Sequence, residues 1–152
     1  MYKKFLLLFA SLFFLAECGY SPMYSKNINK DINLRLLKFD GDREINKILK
    51  YNLERYDKKN EQNKISISIS SNYTKTAGTK NLAGDITSYD VTGTVVFKIH
   101  NDDINKTIQF TESTTINNQN NQLDESIYEK NIKQNFAELF TNKLIIKLLK
   151  LK

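Results

Sequence analysis

The spacing of apolar residues changes period four times along this chain, and each change marks an element. In "DINLRLLKF" the residues Ile32, Leu34 and Leu36 alternate with Asn33, Arg35 and Leu37, which predicts a first strand with a mixed second face. "DGD" at 40–42 ends it. Beyond Asp42 the positions Ile45, Ile48, Leu49, Leu53 and Tyr56 recur every three to four residues, so an amphipathic helix of about four turns follows. "YDKKNEQNK" at 56–64 has no apolar period and reads as an exposed loop.

The period then becomes two. Ile65, Ile67, Ile69 and Tyr73 oppose Ser66, Ser68, Ser70, Asn72 and Thr74. Next, Tyr89, Val91, Val95, Phe97 and Ile99 oppose Asp90, Thr92, Thr94 and Lys98; last, Ile108, Phe110 and Ile116 oppose Thr107, Gln109, Thr111, Ser113 and Thr115. Three strands of an antiparallel meander result, each with one apolar and one hydroxyl-rich face. "AGTKNLAGD" at 77–85 and "NDDIN" at 101–105 supply the turns.

From Leu123 helical spacing returns through Ile127, Ile132, Phe136, Leu139, Phe140 and Leu144. Asp124 and Glu125 in the first turn, with Lys143, Lys147 and Lys150 near the end, match the helix dipole. Ile132, Phe136, Leu139 and Phe140 are expected to pack on the sheet. Ile145, Ile146 and Leu149 in the apolar end "LIIKLLKLK" are open to a partner or to simple burial. The order β-α-β-β-β-α predicts an α+β two-layer sandwich, with two helices on one face of a four-stranded, mostly antiparallel sheet.

The segment before this domain has a different character. Lys3 and Lys4 precede an apolar run from Phe5 to Leu15, too short to span a bilayer, and "LAEC" follows where a cleavage site belongs. Residues 1–17 read as a signal peptide. The chain's one cysteine, Cys18, stands directly behind it, as in a lipoprotein signal whose cysteine sulfur receives diacylglycerol. Glu17 departs from the small residues usual there. Ordinary signal cleavage with an incidental cysteine is the other reading. Residues 18–30 form a polar tether containing Pro22, and one α+β domain occupies 31–152. Gly19 after the cysteine, with no inner-membrane retention Asp, favours the outer membrane.

The net charge of +6 is spread without a block of like charges, which is not a nucleic-acid signature. Nor is there reactive chemistry in the usual patterns. A single histidine, His100, lies beside Asp102 and Asp103, where adjacent acids in a polar hairpin ordinarily turn the chain. No glycine-rich phosphate loop and no His/Cys/Asp spacing for a metal is present in the sequence. The chain reads as a non-enzymatic binding or structural protein without a cofactor.

The segments "CGYSPMY", "FDGDREINKILKYNLERY", "NLAGDITSYDVTGTVVFKI" and "NNQLDESIYEKNIKQNFAELFTNKL", in this order, resemble the LPS-assembly lipoprotein LptE family, especially its alphaproteobacterial members. Cys18, Gly19, Tyr20, Pro22 and Tyr24 match its anchor region, and Asp42-Arg43 matches the entry to its first helix. The resemblance covers essentially the whole chain. It implies a non-catalytic outer-membrane lipoprotein that plugs the LptD barrel, helps it assemble, and helps deliver lipopolysaccharide to the outer leaflet. Lipidation would fall on Cys18. It also directs attention to Lys75 and Lys80, flanking a glycine in a long exposed connection, as lipopolysaccharide phosphate contacts; two solvated lysines fit the same sequence. Its rivals are a free lipoprotein that binds a small ligand or envelope polymer without a barrel partner and, from a third class, an enzyme whose site is dispersed in sequence.

Overall fold

The computed structural model describes residues 32–58, 64–101, 104–119 and 121–150. The signal peptide, Cys18, the tether, Asp31, most of the loop after the first helix, and Asp102 and Asp103 lie outside the described residues.

The elements are β1 (Leu34–Gly41), α1 (Arg43–Glu54), β2 (Ile65–Ala77), β3 (Ser88–Asn101), β4 (Ile104–Asn117) and α2 (Gln122–Leu149). The sheet is ordered β1-β2-β3-β4, with β1 parallel to β2 and the other pairings antiparallel. The α+β sandwich expected from the periodicity is therefore present, with a mixed sheet. Parallel pairing follows from the crossover helix, because α1 carries the chain back to the end where β1 began. At that end Leu34 N donates to Tyr56 O at 2.9 Å and Ile65 N to Asn33 O at 2.9 Å.

The mixed second face of β1 has a local cause. Its register with β2 shifts between Leu36 and Lys38, so Leu37 is a bulge residue, 55% exposed, and Phe39 returns to the helix-facing side. The strand-to-helix corner uses Gly41 at φ +93°, and a Cβ there would meet Ser71 O at 1.7 Å. Only glycine fits. Asp42 then caps α1, its Oδ1 accepting from Glu44 N (3.0 Å) and Ile45 N (2.9 Å). Just over three turns follow, shorter than the spacing through Tyr56 suggests, because Arg55 and Tyr56 leave the helix to meet β1.

Ile45, Leu49 and Leu53 of α1 bury completely against β1 and β2, beside Leu34, Ile67, Val91, Val95 and Phe97. Helix α2 packs on α1 and reaches the sheet at β3. Its buried residues are Phe136, Ala137, Phe140, Thr141, Leu144, Ile145 and Leu148. Ile132 is half-buried, whereas Leu139 is 44% exposed and does not pack on the sheet. Leu139 lies on the wrong side of Phe136: successive i+4 steps from Phe136 follow the core, and the i+3 step turns away from it. Ile145 is buried, Leu149 is half-buried and Ile146 is 42% exposed.

The two helices run side by side in the same direction. Lys130 lies across a groove from Glu44, and Thr141 and Asn142 lie beside Arg55. Both therefore start toward the end of the sheet that carries the β2–β3 connection and finish toward the end where Ile32 enters. The first is called here the distal end and the second the proximal end.

Candidate functional site

The alternation in β2 puts Tyr73 and Lys75 on the helix side, and β3 places Tyr89 opposite Ala77. All three sit beneath the first turns of α2. Lys75 Nζ pairs with Glu125 and with Glu129 (3.3 Å) and lies 4.5 Å from the Tyr89 ring centroid. Lys133 makes the corresponding set two turns along α2, with Asp42 Oδ2 at 3.1 Å, Glu44 at 2.9 Å and the Tyr73 ring at 4.6 Å. Cations over aromatic faces and between carboxylates are held tightly where water is scarce. Asp42 thus caps α1 with one oxygen and holds α2 with the other.

Electrostatics follow from this geometry. Burial alone would lower the affinity of Lys75 and Lys133 for protons, but hydrogen bonds to Glu125 and Glu129, and to Glu44 and Asp42, outweigh it and raise both. The Tyr73 hydroxyl is pushed up to about 12, first by burial and then by Glu129, with Lys133 opposing. That hydroxyl oxygen is buried without a hydrogen-bond partner among the described residues.

Lys75 accordingly lies within β2 rather than in the connection after it, and its amine is engaged on the helix side. Lys80 is elsewhere. It is exposed on a hairpin that extends the sheet, bridged to Ile86. This distal hairpin is an ordered structure: Asn81 and Asp85 close it through Asn81 N to Asp85 O (2.9 Å) and Asp85 N to Asn81 Oδ1 (2.9 Å), with Gly84 at φ +91°. Leu82 projects from its tip, fully exposed. The structure does not bring Lys75 and Lys80 into one site. His100 is exposed on β3 between Ser66 and Asn105, and no group of three or more His, Cys, Asp or Glu side chains suited to a metal occurs among the described residues.

The face of the sheet turned away from the helices is covered by no described element. Between Ser66 and Thr115 every outward position of β2, β3 and β4 is polar except Val96. Hydroxyls pair across strands: Thr92 Oγ1 with Ser113 Oγ at 2.9 Å, Thr94 Oγ1 with Thr111 Oγ1 at 3.2 Å, and Thr115 Oγ1 donates to Asp90 Oδ1 at 2.7 Å. These side chains satisfy one another and still present lone pairs and hydroxyl protons outward. On the opposite layer, Tyr128, Leu139 and Ile146 lie in a line along α2, separated by whole turns, and are 38%, 44% and 42% exposed.

A groove between α1 and α2, about 500 Å³, is lined by Glu44, Lys47, Ile48, Tyr51, Lys130 and Glu138 among others. Its two acids and two lysines balance, and it lies half open to solvent rather than enclosing a ligand.

The sequence reading missed Lys133 and the two tyrosines as a unit. Glu125, Glu129 and Lys133 at i, i+4 and i+8 did form one visible stripe, and Tyr73 and Lys75 at i and i+2 another.

No family model matches the chain, and no curated protein matches its sequence. Among solved structures it is similar to rare lipoprotein B from Shewanella oneidensis, with a TM-score of 0.58 and 8% identity, covering 77% of this chain and 98% of that one. A minor lipoprotein from Acinetobacter baumannii matches at a TM-score of 0.47 and 17% identity, over 72% of this chain and 93% of that one. A lipoprotein B from Nitrosomonas europaea matches at 0.46 and 13%, over 74% and 84%. With the Shewanella protein this chain shares a fold.

Proposed function

We propose that this protein is a non-catalytic envelope lipoprotein, anchored to the outer membrane through Cys18, which docks within the LptD barrel and assists its assembly and the delivery of lipopolysaccharide. The observation that carries the reading is the uncovered sheet face. An almost wholly polar, hydroxyl-rich surface of three long strands suits the polar inner wall of a large barrel, where direct and water-bridged hydrogen bonds replace those to solvent. The fold shared with a protein named rare lipoprotein B supports the anchor reading, as do the signal-like run and Cys18 in the sequence. The exposed line Tyr128, Leu139 and Ile146 offers apolar contacts to the same partner.

Within this reading Lys80 is the better placed of the two lysines for a lipopolysaccharide phosphate, because it is exposed on the distal hairpin. Lys75 would first have to leave Glu125 and Glu129. The free lipoprotein that binds a small ligand has the interhelical groove as its candidate site. Purification of the tagged protein from outer membranes in mild detergent tests the reading: a large barrel protein should accompany it in stoichiometric amount. Recovery of the lipoprotein alone, under conditions that leave other barrel complexes intact, would refute it.

A further inference from the structure

The net charge of +6 conceals a separation along the long axis of the domain. At the proximal end, Arg35 of β1, Arg55 at the end of α1, Lys98 and Lys106 of the β3–β4 hairpin, and Lys147 and Lys150 at the end of α2 are all exposed. Among the described acids there, Glu54 pairs with Lys50 at 3.8 Å and Asp57 with Lys64 at 2.8 Å, and Glu138 lies near Arg55. By sequence the adjoining segments add Asp31, Glu61, Asp102 and Asp103 against Lys59, which leaves the excess positive. The distal half carries a modest negative excess: Asp42, Glu44, Asp85, Asp90, Asp124, Glu125 and Glu129 outnumber Arg43, Lys75, Lys80, Lys130 and Lys133, and Lys75 and Lys133 are consumed by the carboxylates described above.

We infer that the proximal end is a docking surface for the headgroups of an anionic phospholipid bilayer. Two observations select a lipid surface as the occupant. The cations come from four elements and ring the end of the sandwich, so they suit a broad planar array of phosphates rather than one groove-bound strand. Ile32, where the described chain begins, is buried at this same end, and residues 18–30 extend from there toward the anchor cysteine. Thirteen residues reach at most about 45 Å, so this end is the tethered one and stays within that distance of the bilayer. Within a Debye length each lysine then gains from the negative surface, and the acidic distal end is pushed away. Before it docks in a barrel, the domain would stand upright on its anchor. This orientation rests on the anchored reading, whereas the attraction itself does not require the lipid.

The test uses the chain from residue 18 onward with Cys18→Ser, so that no acyl chain contributes; among the described residues, every buried core residue lies between Ile32 and Leu148, within that chain. Co-sedimentation with phosphatidylcholine vesicles is compared with binding to vesicles containing about one-third phosphatidylglycerol, at low ionic strength. Binding to the anionic vesicles only, lost at high salt, is expected. Lys98→Gln, Lys106→Gln and Lys150→Gln together should weaken it by about fivefold per lysine, on the order of a hundredfold. Arg43→Gln, Lys47→Gln and Lys130→Gln, the same charge change away from the proximal end, should leave most of it. Melting curves check that both sets are folded, and the single Lys98→Gln and Lys150→Gln variants carry the comparison if the triple does not fold. Equal losses from both sets, or no preference of the parent chain for anionic vesicles, would overturn the inference. Failure of acylation at Cys18 is read separately, by mass spectrometry of the exported protein.

Discussion

The ring of Phe136 rests on the backbone of Gly93. A Cβ at that position would come within 2.6 Å of the ring's Cδ2, and Phe136 is 5% exposed. Gly93 sits between Tyr73 and Glu112 in the sheet register, so the missing side chain leaves a depression on the helix-facing side where α2 first enters the core. Lys143 of α2 pairs with Glu112 on β4 nearby.

Gly93→Ala should therefore cost ~1–3 kcal/mol by forcing the ring off its seat, although alanine is otherwise suited to a strand at least as well as glycine. Phe136→Ala should cost ~3–5 kcal/mol. In a Phe136→Leu background the penalty for Gly93→Ala should shrink, since neighbouring substitutions couple. Denaturant unfolding of the single and double variants measures this, and strict additivity would mean that the ring and the glycine do not constrain each other.

The first turns of α2 are held differently. Before Phe136 this helix contributes no fully buried residue: Ile132 is half-buried against the core, and the rest of its attachment there is Lys75 and Lys133 among carboxylates and aromatic rings. Lys133→Met should cost about 1–3 kcal/mol, because Asp42 and Glu44 lose their cation in a partly desolvated site. Hydrogen exchange should then quicken in residues 122–133 and stay slow around Phe140. Uniform protection across α2 in the variant would contradict this division.

Tyr73 sets a limit on the alkaline side. Its folded value, about 12, lies above the ordinary tyrosine value of 10.0, so the folded state favours the protonated phenol. The contribution is fully present below pH 10 and is lost as pH rises toward 12. The raised Lys75 and Lys133 act in the same direction, as their ion pairs disappear when the amines deprotonate. Tyr73→Phe removes a buried hydroxyl that has no partner among the described residues, and should leave stability at neutral pH unchanged or higher while making the alkaline loss shallower. Thermal melts between pH 8 and 12 decide it; an unchanged alkaline profile would remove Tyr73 from the account.

Much of the architecture was legible because period-two and period-3.6 patterns survive without tertiary knowledge. The strands from Ile65 to Ile116 and the capped entry to α1 at Asp42 follow directly from spacing and side-chain chemistry. The bulge at Leu37 was hidden, since an extra residue in one strand is defined only by the register of its partner. Leu139 does not join the core because α2 buries a face only from Phe136 onward, through Phe140 and Leu144, and i+3 and i+4 neighbours diverge around a helix. The site was less legible still. Lys75 in the sequence looks like a lysine near a loop, and its pairing with Val91, with β2 continuing to Ala77, keeps it within the sheet and under Glu125.

Anchoring is a separate expectation of the proposed function. Cys18→Ser should move the exported domain from membranes to the soluble periplasmic fraction, or leave the precursor unprocessed, while the unfolding midpoint of the purified domain stays unchanged. Fractionation of the two forms checks it. A wild-type protein that is soluble and unacylated at residue 18 would rule the anchor out.

The central claim is that the polar sheet face meets a barrel wall, and site-specific photo-crosslinking in intact cells tests it most directly. Probes at Thr94 and Thr111 on the outward face, and at Tyr51 on the exposed side of α1 as a comparison, report which surface is covered. The account predicts that Thr94 and Thr111 give a crosslink to a large outer-membrane barrel protein in high yield. Crosslinks to such a protein only from Tyr51, or none from either face in cells where the protein is correctly localised, would contradict it.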